Sequence, residues 1–299
     1  MDIIYFDFLP HNIINKLEDI NELEEIRIRI NKRVYLKYLN KEKFIEYKIS
    51  KKEMEEILEK IFKGSRYSYQ NEIVNGFITI EGGHRIGITG LAVVEDEKLI
   101  NICNISSLNI RVSKEIKNVS KFLDKYIIFE NNLCNTLIAS VPGKGKTTIL
   151  KDLIRRISNG EIEGLKSLNV GVVDERMELS GGVNAENMID LGEKTDVITN
   201  ISKEKGMKML IRSMAPEVLV VDEIGTKEDV DAIKYGITSG VKGIFTAHSD
   251  CLENILINPI LKEFIELNLL DRIVFLSKDK KCEIYKVYKK TDKGYIEIC

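Results

Sequence analysis

One stretch of the chain, residues 137–153, constrains the fold more than any other. A short apolar run ends at Ser140, a loop rich in glycine follows, and residues 148–153 continue with helical spacing. Gly145, Lys146 and Thr147 match the end of the pattern GxxxxGK[ST], in which a loop between a strand and a helix wraps a phosphate with its backbone N–H groups. The stretch therefore predicts a nucleotide site at the edge of an α/β domain.

The chemistry of such a loop assigns an expected role to each residue. Gly143 and Gly145 permit the close approach of the backbone to a phosphate. Lys146 is expected between the β- and γ-phosphates of ATP, and the Thr147 hydroxyl on Mg²⁺. Ser140 stands where the pattern has its first glycine, and a left-handed backbone there would cost about 1 kcal/mol or more and weaken binding. The predicted nucleotide-binding residues are Pro142, Gly143, Lys144, Gly145, Lys146, Thr147 and Thr148.

After residue 130 the chain alternates between short apolar runs and helical segments. Short apolar strands separated by helices are typical of a parallel sheet covered on both faces. Two alternating runs around residues 292–294 predict a terminal hairpin over 282–298. The predicted strands lie at 137–140, 170–174, 218–222 and 243–247, with a helix over 226–239.

Carboxylates follow two of these strands. Asp222 ends the run that begins at Val218 and is predicted to hold the metal, together with Thr147. Glu223 is the predicted base that orients the attacking water. A second strand is followed by Glu175 and Glu178, either of which could share that water or the magnesium; Glu175 is nearer to the strand end.

The predicted strand over 243–247 ends in polar residues, none of which is acidic. Thr246 and His248 lie at the edge of the predicted sheet where ligands bind in α/β folds. Either side chain could sense the γ-phosphate by a hydrogen bond, and His248 is the predicted catalytic residue of the two. Phosphoryl transfer is commonly assisted by an arginine from a neighbouring subunit, and three arginines are candidates: Arg85, Arg111 and Arg212.

The first part of the chain has a different pattern, which predicts a smaller α+β domain over residues 1–128 before an ATPase domain over 129–299. Ser50 and Glu53 form a capping-box pattern before a helix over 51–62. Glycines from Gly82 to Gly90 predict short hairpins there, with a phosphate-binding nest as the alternative. Apolar spacing further predicts a helix over 12–22 and strands over 25–30, 33–39, 43–49 and, broken by Gly82-Gly83, Gly87 and Gly90, within 77–112.

Charge and composition narrow the classes of function. Lys and Arg number 45 against 47 Asp and Glu, the net charge is −2 and the isoelectric point is near 6.1, so a dedicated nucleic-acid binder is not expected. No apolar run approaches the roughly 18 residues of a membrane helix, and the acidic first residues do not resemble a signal peptide. We expect a cytoplasmic protein whose five widely spaced cysteines are reduced and bind no zinc.

The order of these motifs resembles the family of stage III sporulation protein AA, which is itself similar to the ATPases of type II and type IV secretion systems. The matching stretches include 25–29, 82–87 and 108–111 in the first part, and 142–148, 170–178, 212–225 and 246–248 in the second. The family typically begins the loop with Gly-Pro, where this chain has Ser140-Val141. The stretch 183–200, which includes Asn184-Ala185-Glu186-Asn187, reads as a drifted copy of the family's sequence. The resemblance assigns Asp174, Glu175 and Glu178 to an acidic box, and His248 to a histidine box.

The resemblance also carries expectations about the whole protein. It implies a RecA-like, AAA+-type ATPase that uses ATP and Mg²⁺ and works as a ring, expected to be a hexamer. The ring would sit on the mother-cell side of the membrane around the forespore, held there by other stage III sporulation membrane proteins, and would energise their channel. Two alternatives stay open: a nucleotide-gated scaffold with little hydrolysis, and a RecA-like ATPase stimulated by nucleic acid.

Overall fold

A computed structural model describes residues 6–113, 116–181, 189–277 and 283–299. The chain divides into two compact units, one comprising Met1–Lys114 and Gly181–Ile189, the other Glu115–Ser180 and Asp190–Cys299. Residues 183–188 of the stretch 183–200, noted above as drifted, and Cys282 lie outside the described residues. The four described cysteines, Cys103, Cys134, Cys251 and Cys299, are free thiols, as predicted.

The first unit is an antiparallel sheet with helices, in agreement with the predicted α+β pattern. Its strands follow the order β3-β2-β1-β6-β5-β4 across the sheet. Alternate residues of β1, Leu23, Ile26 and Ile28 among them, are buried in one apolar core. The elements are α1 (His11–Ile14), β1 (Leu23–Arg29), β2 (Arg33–Tyr38), β3 (Glu42–Lys48), α2 (Lys51–Phe62), α3 (Gln70–Val74), β4 (Phe77–Ile80), β5 (His84–Glu95) and β6 (Lys98–Arg111).

Local chemistry explains which helix predictions hold in this unit. The capping box before α2 is formed: the Ser50 hydroxyl accepts from the Glu53 N–H, and the Glu53 carboxylate accepts from the Ser50 N–H. The predicted helix over 12–22 is wrong, because α1 ends at Ile14. Leu17 and Ile20 pack against the core from the segment that follows α1. Their helix-like spacing therefore reflects their burial and does not indicate a helix.

The glycines of the β5–β6 hairpin do not break it. Gly82 and Gly83 have left-handed backbone and form the predicted turn between β4 and β5. Gly87 and Gly90, in contrast, lie inside the 12-residue strand β5, so the predicted breaks there are wrong. At Gly90 a Cβ would lie 2.4 Å from the carbonyl oxygen of Cys103, so this glycine serves a close approach of two strands.

The second unit is built on a sheet of eight strands in the order β11-β10-β12-β13-β9-β14-β15-β16. The first six are parallel and the last two antiparallel, which confirms the predicted parallel sheet and terminal hairpin. Its elements are α4 (Asp124–Ile127), β7 (Ile128–Phe129), β8 (Asn132–Leu133), β9 (Thr136–Ser140), α5 (Lys146–Asn159), β10 (Val170–Asp174), β11 (Thr195–Thr199), α6 (Lys203–Ser213), β12 (Val218–Val221), α7 (Lys227–Thr238), β13 (Lys242–His248), α8 (Leu252–Ile257), α9 (Pro259–Glu266), β14 (Arg272–Leu276), β15 (Ile284–Thr291) and β16 (Gly294–Glu297).

Burial of the central strands agrees with helices on both faces. Every residue of β9, β10, β12 and β14 is buried, including those that alternate to opposite sides of the sheet. The carboxyl ends of β9, β10, β12 and β13 consequently meet at one edge. None of the helices in the described ranges combines the length and the apolar character that crossing a membrane requires.

A buried ionic cluster fixes the segment before α4 to the helix α5. The Asp152 carboxylate accepts from the backbone N–H groups of Asn118 and Ser120, both at 2.8 Å. The fully buried Arg156 donates two hydrogen bonds to the carboxylate of Asp124. Because residues 118–124 are tied to α5 in this way, they pack with the second unit; the domain boundary at 128/129 stays a prediction.

Candidate functional site

The loop between β9 and α5 has the backbone that a phosphate loop requires. Gly143 and Gly145 are both left-handed, with φ of +78° and +91°. A Cβ at Gly143 would meet nothing within 4 Å, so conformation and not space selects glycine there. α5 begins at Lys146, directly after this loop. The free N–H groups at the start of a 14-residue helix favour an anion at this point.

Ser140, at the unusual first position of the loop, is the last residue of β9 and is buried. Its backbone is not left-handed. The expected cost of a serine at this position therefore does not arise. Its hydroxyl donates to the carbonyl oxygen of Val141 at 2.8 Å and accepts from Lys146 at 3.1 Å.

Lys146 is buried and engaged by the protein itself. Its ammonium donates to the carbonyl and hydroxyl oxygens of Ser140 and to Nδ1 of His248, at 3.0, 3.1 and 3.0 Å. Burial lowers the pKa of Lys146, and the carboxylates of Asp222 and Glu223 oppose that shift. Lys146 and His248, predicted from separate strand ends, thus meet as the parallel sheet requires.

Asp222 meets Thr147 at the same edge. The Thr147 hydroxyl lies 3.4 Å from one carboxylate oxygen of Asp222, and the buried Thr246 hydroxyl donates to the other. Burial raises the pKa of Asp222, while the Thr246 hydrogen bond lowers it. A hydroxyl and a carboxylate side by side are ligands that suit Mg²⁺, which takes its further ligands from water and substrate phosphates. These two residues fit the predicted metal role.

Glu223 has an unusual backbone and a fully engaged side chain. Its φ is +54°, in the left-handed region. One carboxylate oxygen accepts from Arg176 at 3.2 Å, and the other lies 3.5 Å from Nε2 of His248. Because the Lys146 ammonium can only donate, Nδ1 of His248 is the acceptor, and the proton of a neutral ring is on Nε2, facing Glu223.

The carboxylates at the end of β10, the second acidic strand end, make two different kinds of contact. Asp174 is buried and accepts from the backbone N–H groups of Glu178, Leu179 and Ser180, so it holds the turn after β10. Glu175 instead lies 3.4 Å from the ammonium of Lys203. Residues from both strand ends line one small cleft: Val173, Asp174, Glu175, Arg176, Glu178, Lys203, Asp222 and Glu223.

Two charged residues of this cleft, Arg176 and Lys203, are not among the sequence-predicted site residues. Arg176 directly follows Asp174 and Glu175 in the sequence, and its position after these two acids is the signal that could have marked it. Lys203 begins α6, shortly after the end of β11, a strand that the sequence analysis did not predict, so no local signal marks it. Of the predicted arginines, Arg85 lies 4.1 Å over the ring of Phe77, and Arg111 and Arg212 are in β6 and α6; their action between subunits stays a prediction.

Sequence comparison finds relatives over nearly the whole chain. Residues 9–295 match the model of a protein family described as sporulation stage III, protein AA. Stage III sporulation protein AA of Bacillus subtilis (strain 168) is 35% identical over 279 residues, which cover 92% of this chain and 90% of that protein. An uncharacterised protein of Cyanidium caldarium, ycf45, is 30% identical over 183 residues, covering 60% of this chain and 52% of that protein.

Structural comparison relates the fold to a pilus retraction motor and an ATPase. The pilus retraction motor PilT, solved with ADP bound, superposes with a TM-score of 0.62 at 14% identity, covering 97% of this chain and 81% of that one. The ATPase DotB of Legionella pneumophila superposes with a TM-score of 0.60, also at 14% identity, covering 91% and 78%. The likeness establishes the predicted α/β fold with a smaller first domain.

Proposed function

Because this chain belongs to the stage III sporulation protein AA family, we propose that it binds ATP with Mg²⁺ and hydrolyses it. One observation carries the proposal: a phosphate-loop lysine, a hydroxyl–carboxylate pair and a glutamate converge at one edge of the parallel sheet. Lys146 and His248 are 3.0 Å apart, and Thr147 and Asp222 are 3.4 Å apart. The fold that this chain shares with a motor and an ATPase supports the same reading.

Each residue of the edge has a role in this proposal. The loop from Pro142 to Gly145 and the first turn of α5, with Thr148, cradle the phosphates through backbone N–H groups. Lys146 neutralises the β- and γ-phosphates, and Thr147 and Asp222 hold Mg²⁺, which supplies charge neutralisation when it is bound. Glu223 orients the attacking water as general base, and His248 reports the γ-phosphate to Glu223.

The cellular role follows from the family and is likewise proposed. The chain would act as the motor of a channel formed by other stage III sporulation membrane proteins, on the mother-cell side of the membrane around the forespore. It would assemble as a hexameric ring and contact the membrane only through those partners. The scaffold alternative rests on the expectation that Ser140 weakens nucleotide binding through backbone strain. Ser140 has extended backbone, so this reason for the scaffold no longer applies.

The test is the pair of variants Lys146→Ala and Glu223→Gln. We expect Lys146→Ala to lose ATP binding, because the phosphates lose their main counter-charge. Glu223→Gln should bind ATP normally and lose turnover by about 10²–10⁴-fold, the usual contribution of a general base. ATP affinity is measured by calorimetry and turnover by phosphate release, with the exposed Glu228→Gln as a matched control.

Three results would contradict the assignment. Unchanged ATP affinity in Lys146→Ala would exclude the phosphate loop as the binding site. Full turnover in Glu223→Gln together with lost turnover in Glu175→Gln would make Glu175 the base. ATP binding without any turnover in the unaltered protein would favour the scaffold.

A further inference from the structure

Lys203 is a shielded lysine that the phosphate chemistry above does not use. It is the first residue of α6, and its side chain is only 14% exposed. Its ammonium donates to the backbone carbonyl of Glu223 at 2.7 Å and lies 3.4 Å from the carboxylate of Glu175. The carboxylate of Asp229 is 4.0 Å away. One ammonium group thus joins the ends of β10 and β12 and the start of α7.

Lys203 contacts the backbone of Glu223, which has a strained, left-handed conformation. Left-handed backbone is unfavourable for a residue that carries a Cβ, and it persists only where the surroundings fix it. Two hydrogen bonds do so here. The Glu223 N–H donates to the buried Thr246 hydroxyl at 2.7 Å, and the Glu223 carbonyl accepts from Lys203 at 2.7 Å. The second bond is charge-assisted, and bonds of that kind are the stronger ones.

The ion pairs of Lys203 alone do not explain its placement. Asp229 is already engaged in the capping box of α7, where its carboxylate accepts from the N–H groups of Gly225 and Thr226. Glu175 is about two-fifths exposed, and a half-exposed ion pair contributes little to stability. The shortest contact of the ammonium is the one to the Glu223 carbonyl. The geometry therefore favours a role in fixing Glu223.

We propose that Lys203 is a positioning residue, which holds the backbone of Glu223 left-handed so that its carboxylate points into the cleft, and which also keeps Glu175 occupied. The inference rests on the proposed function of Glu223 as general base. It adds the residue that fixes the backbone of that base, while the side chain of Glu223 keeps its contacts with Arg176 and His248.

The first test compares Lys203→Met with Lys203→Arg and with Lys208→Met on the same helix. Lys208 pairs only locally with Glu204, at the helical spacing of four residues. We expect Lys203→Met to lower kcat by about 10–100-fold with ATP affinity within twofold, because a misplaced base loses rate and not binding. Lys203→Arg should recover part of kcat, and Lys208→Met should match the unaltered protein. An unchanged kcat, or a parallel loss of ATP affinity, in Lys203→Met would overturn the proposal.

The second test does not depend on turnover. Backbone amide exchange of residues 223–225 should accelerate at least tenfold in Lys203→Met and stay unchanged in Lys208→Met, because the left-handed Glu223 loses one of the two hydrogen bonds of its own backbone. Unchanged exchange would overturn the positioning role. If the unaltered protein shows no ATP turnover, the proposed function fails, and the exchange experiment still decides whether Lys203 holds Glu223.

Discussion

Four side chains form a continuous chain of contacts at the edge of the sheet. The Lys146 ammonium donates to His248, the other nitrogen of His248 faces Glu223, and Glu223 pairs with Arg176. In this arrangement the ammonium of Lys146 and the carboxylate of Glu223 are linked through the two nitrogens of one imidazole ring. A γ-phosphate entering beside Lys146 would draw the ammonium from His248, and the change would reach Glu223 through one imidazole ring.

The serine at the start of the phosphate loop gives a sharp prediction. Because Ser140 is in ordinary backbone, Ser140→Gly should not tighten ATP binding by relief of strain. We expect the ATP dissociation constant to stay within about fivefold, since the Ser140 carbonyl still accepts from Lys146 and only the hydroxyl contact with Lys146 is lost, about 1 kcal/mol at most. Calorimetric titration measures this, and a tenfold gain in affinity would show that the serine is a defect.

Some residues of the site could be predicted from the sequence to meet, and others could not. Asp222, Glu223 and His248 follow apolar strands, and parallel strands bring their carboxyl ends together, so their meeting was predictable. Arg176 and Lys203 depend on how the turn after β10 and the start of α6 approach β12. That approach is set by tertiary packing, which no local pattern encodes.

At the element scale, the attachment of residues 118–124 to α5 predicts a stability effect with a defined pH dependence. Burial raises the pKa of Asp152, but the hydrogen bonds from Ser120, Asn118 and Arg155 outweigh it and lower the pKa overall. A lowered folded-state pKa means that this stabilisation is present above the unfolded pKa of about 4 and is lost as the pH falls through the lower folded value.

We therefore expect Asp152→Asn to lower the free energy of unfolding by about 2–4 kcal/mol at neutral pH, since several buried bonds lose their charge. The difference in Tm between variant and unaltered protein should shrink below about pH 4, where Asp152 takes up a proton in the unfolded state while the folded protein still holds it ionised. Thermal melts from pH 3 to pH 8 measure this. Glu161→Gln is the control: it removes the more exposed partner of Arg155 and should cost less. A pH-independent gap would contradict the charge argument.

Two glycines of β5 give a matched pair of predictions. A methyl group at Gly90 would lie 2.4 Å from the Cys103 carbonyl oxygen, whereas at Gly87 the nearest atom would be 3.7 Å away. Gly90→Ala should destabilise the protein by about 1–3 kcal/mol through overpacking, and Gly87→Ala should be neutral or stabilise by about 0.5–1 kcal/mol. Chemical denaturation measures both, and equal effects would contradict the proposed close approach of the strands.

The same glycines explain where element prediction failed. Glycine commonly interrupts strands, so Gly87 and Gly90 predicted breaks in this segment. Pairing with β6 nevertheless keeps β5 continuous through both positions. Capping chemistry is local, so α2 and α7 were predictable to within a residue. The strands β11 and β14 were not among the predicted strands, because only their neighbours in the sheet identify them.

At the scale of the whole molecule, the ring proposal predicts that activity depends on assembly. If a neighbouring subunit completes the site, ATP turnover per subunit should rise with protein concentration and level off when the ring is full. Phosphate release from nanomolar to micromolar protein, with mass photometry of the same samples, tests this. Constant specific activity alongside a monomer mass would contradict a shared site and favour a self-sufficient one.

The engagement of Lys146 has a consequence for selectivity. An unoccupied ammonium in a glycine loop would attract any small anion, and inorganic phosphate is abundant in cells. Here three protein acceptors already hold that ammonium, so an arriving anion must displace at least one of them. A lone phosphate offers few contacts in return, whereas a triphosphate also engages the loop backbone and the metal. We therefore expect the resting site to discriminate by ligand length, admitting nucleoside triphosphates while staying closed to the free phosphate that the proposed hydrolysis would release.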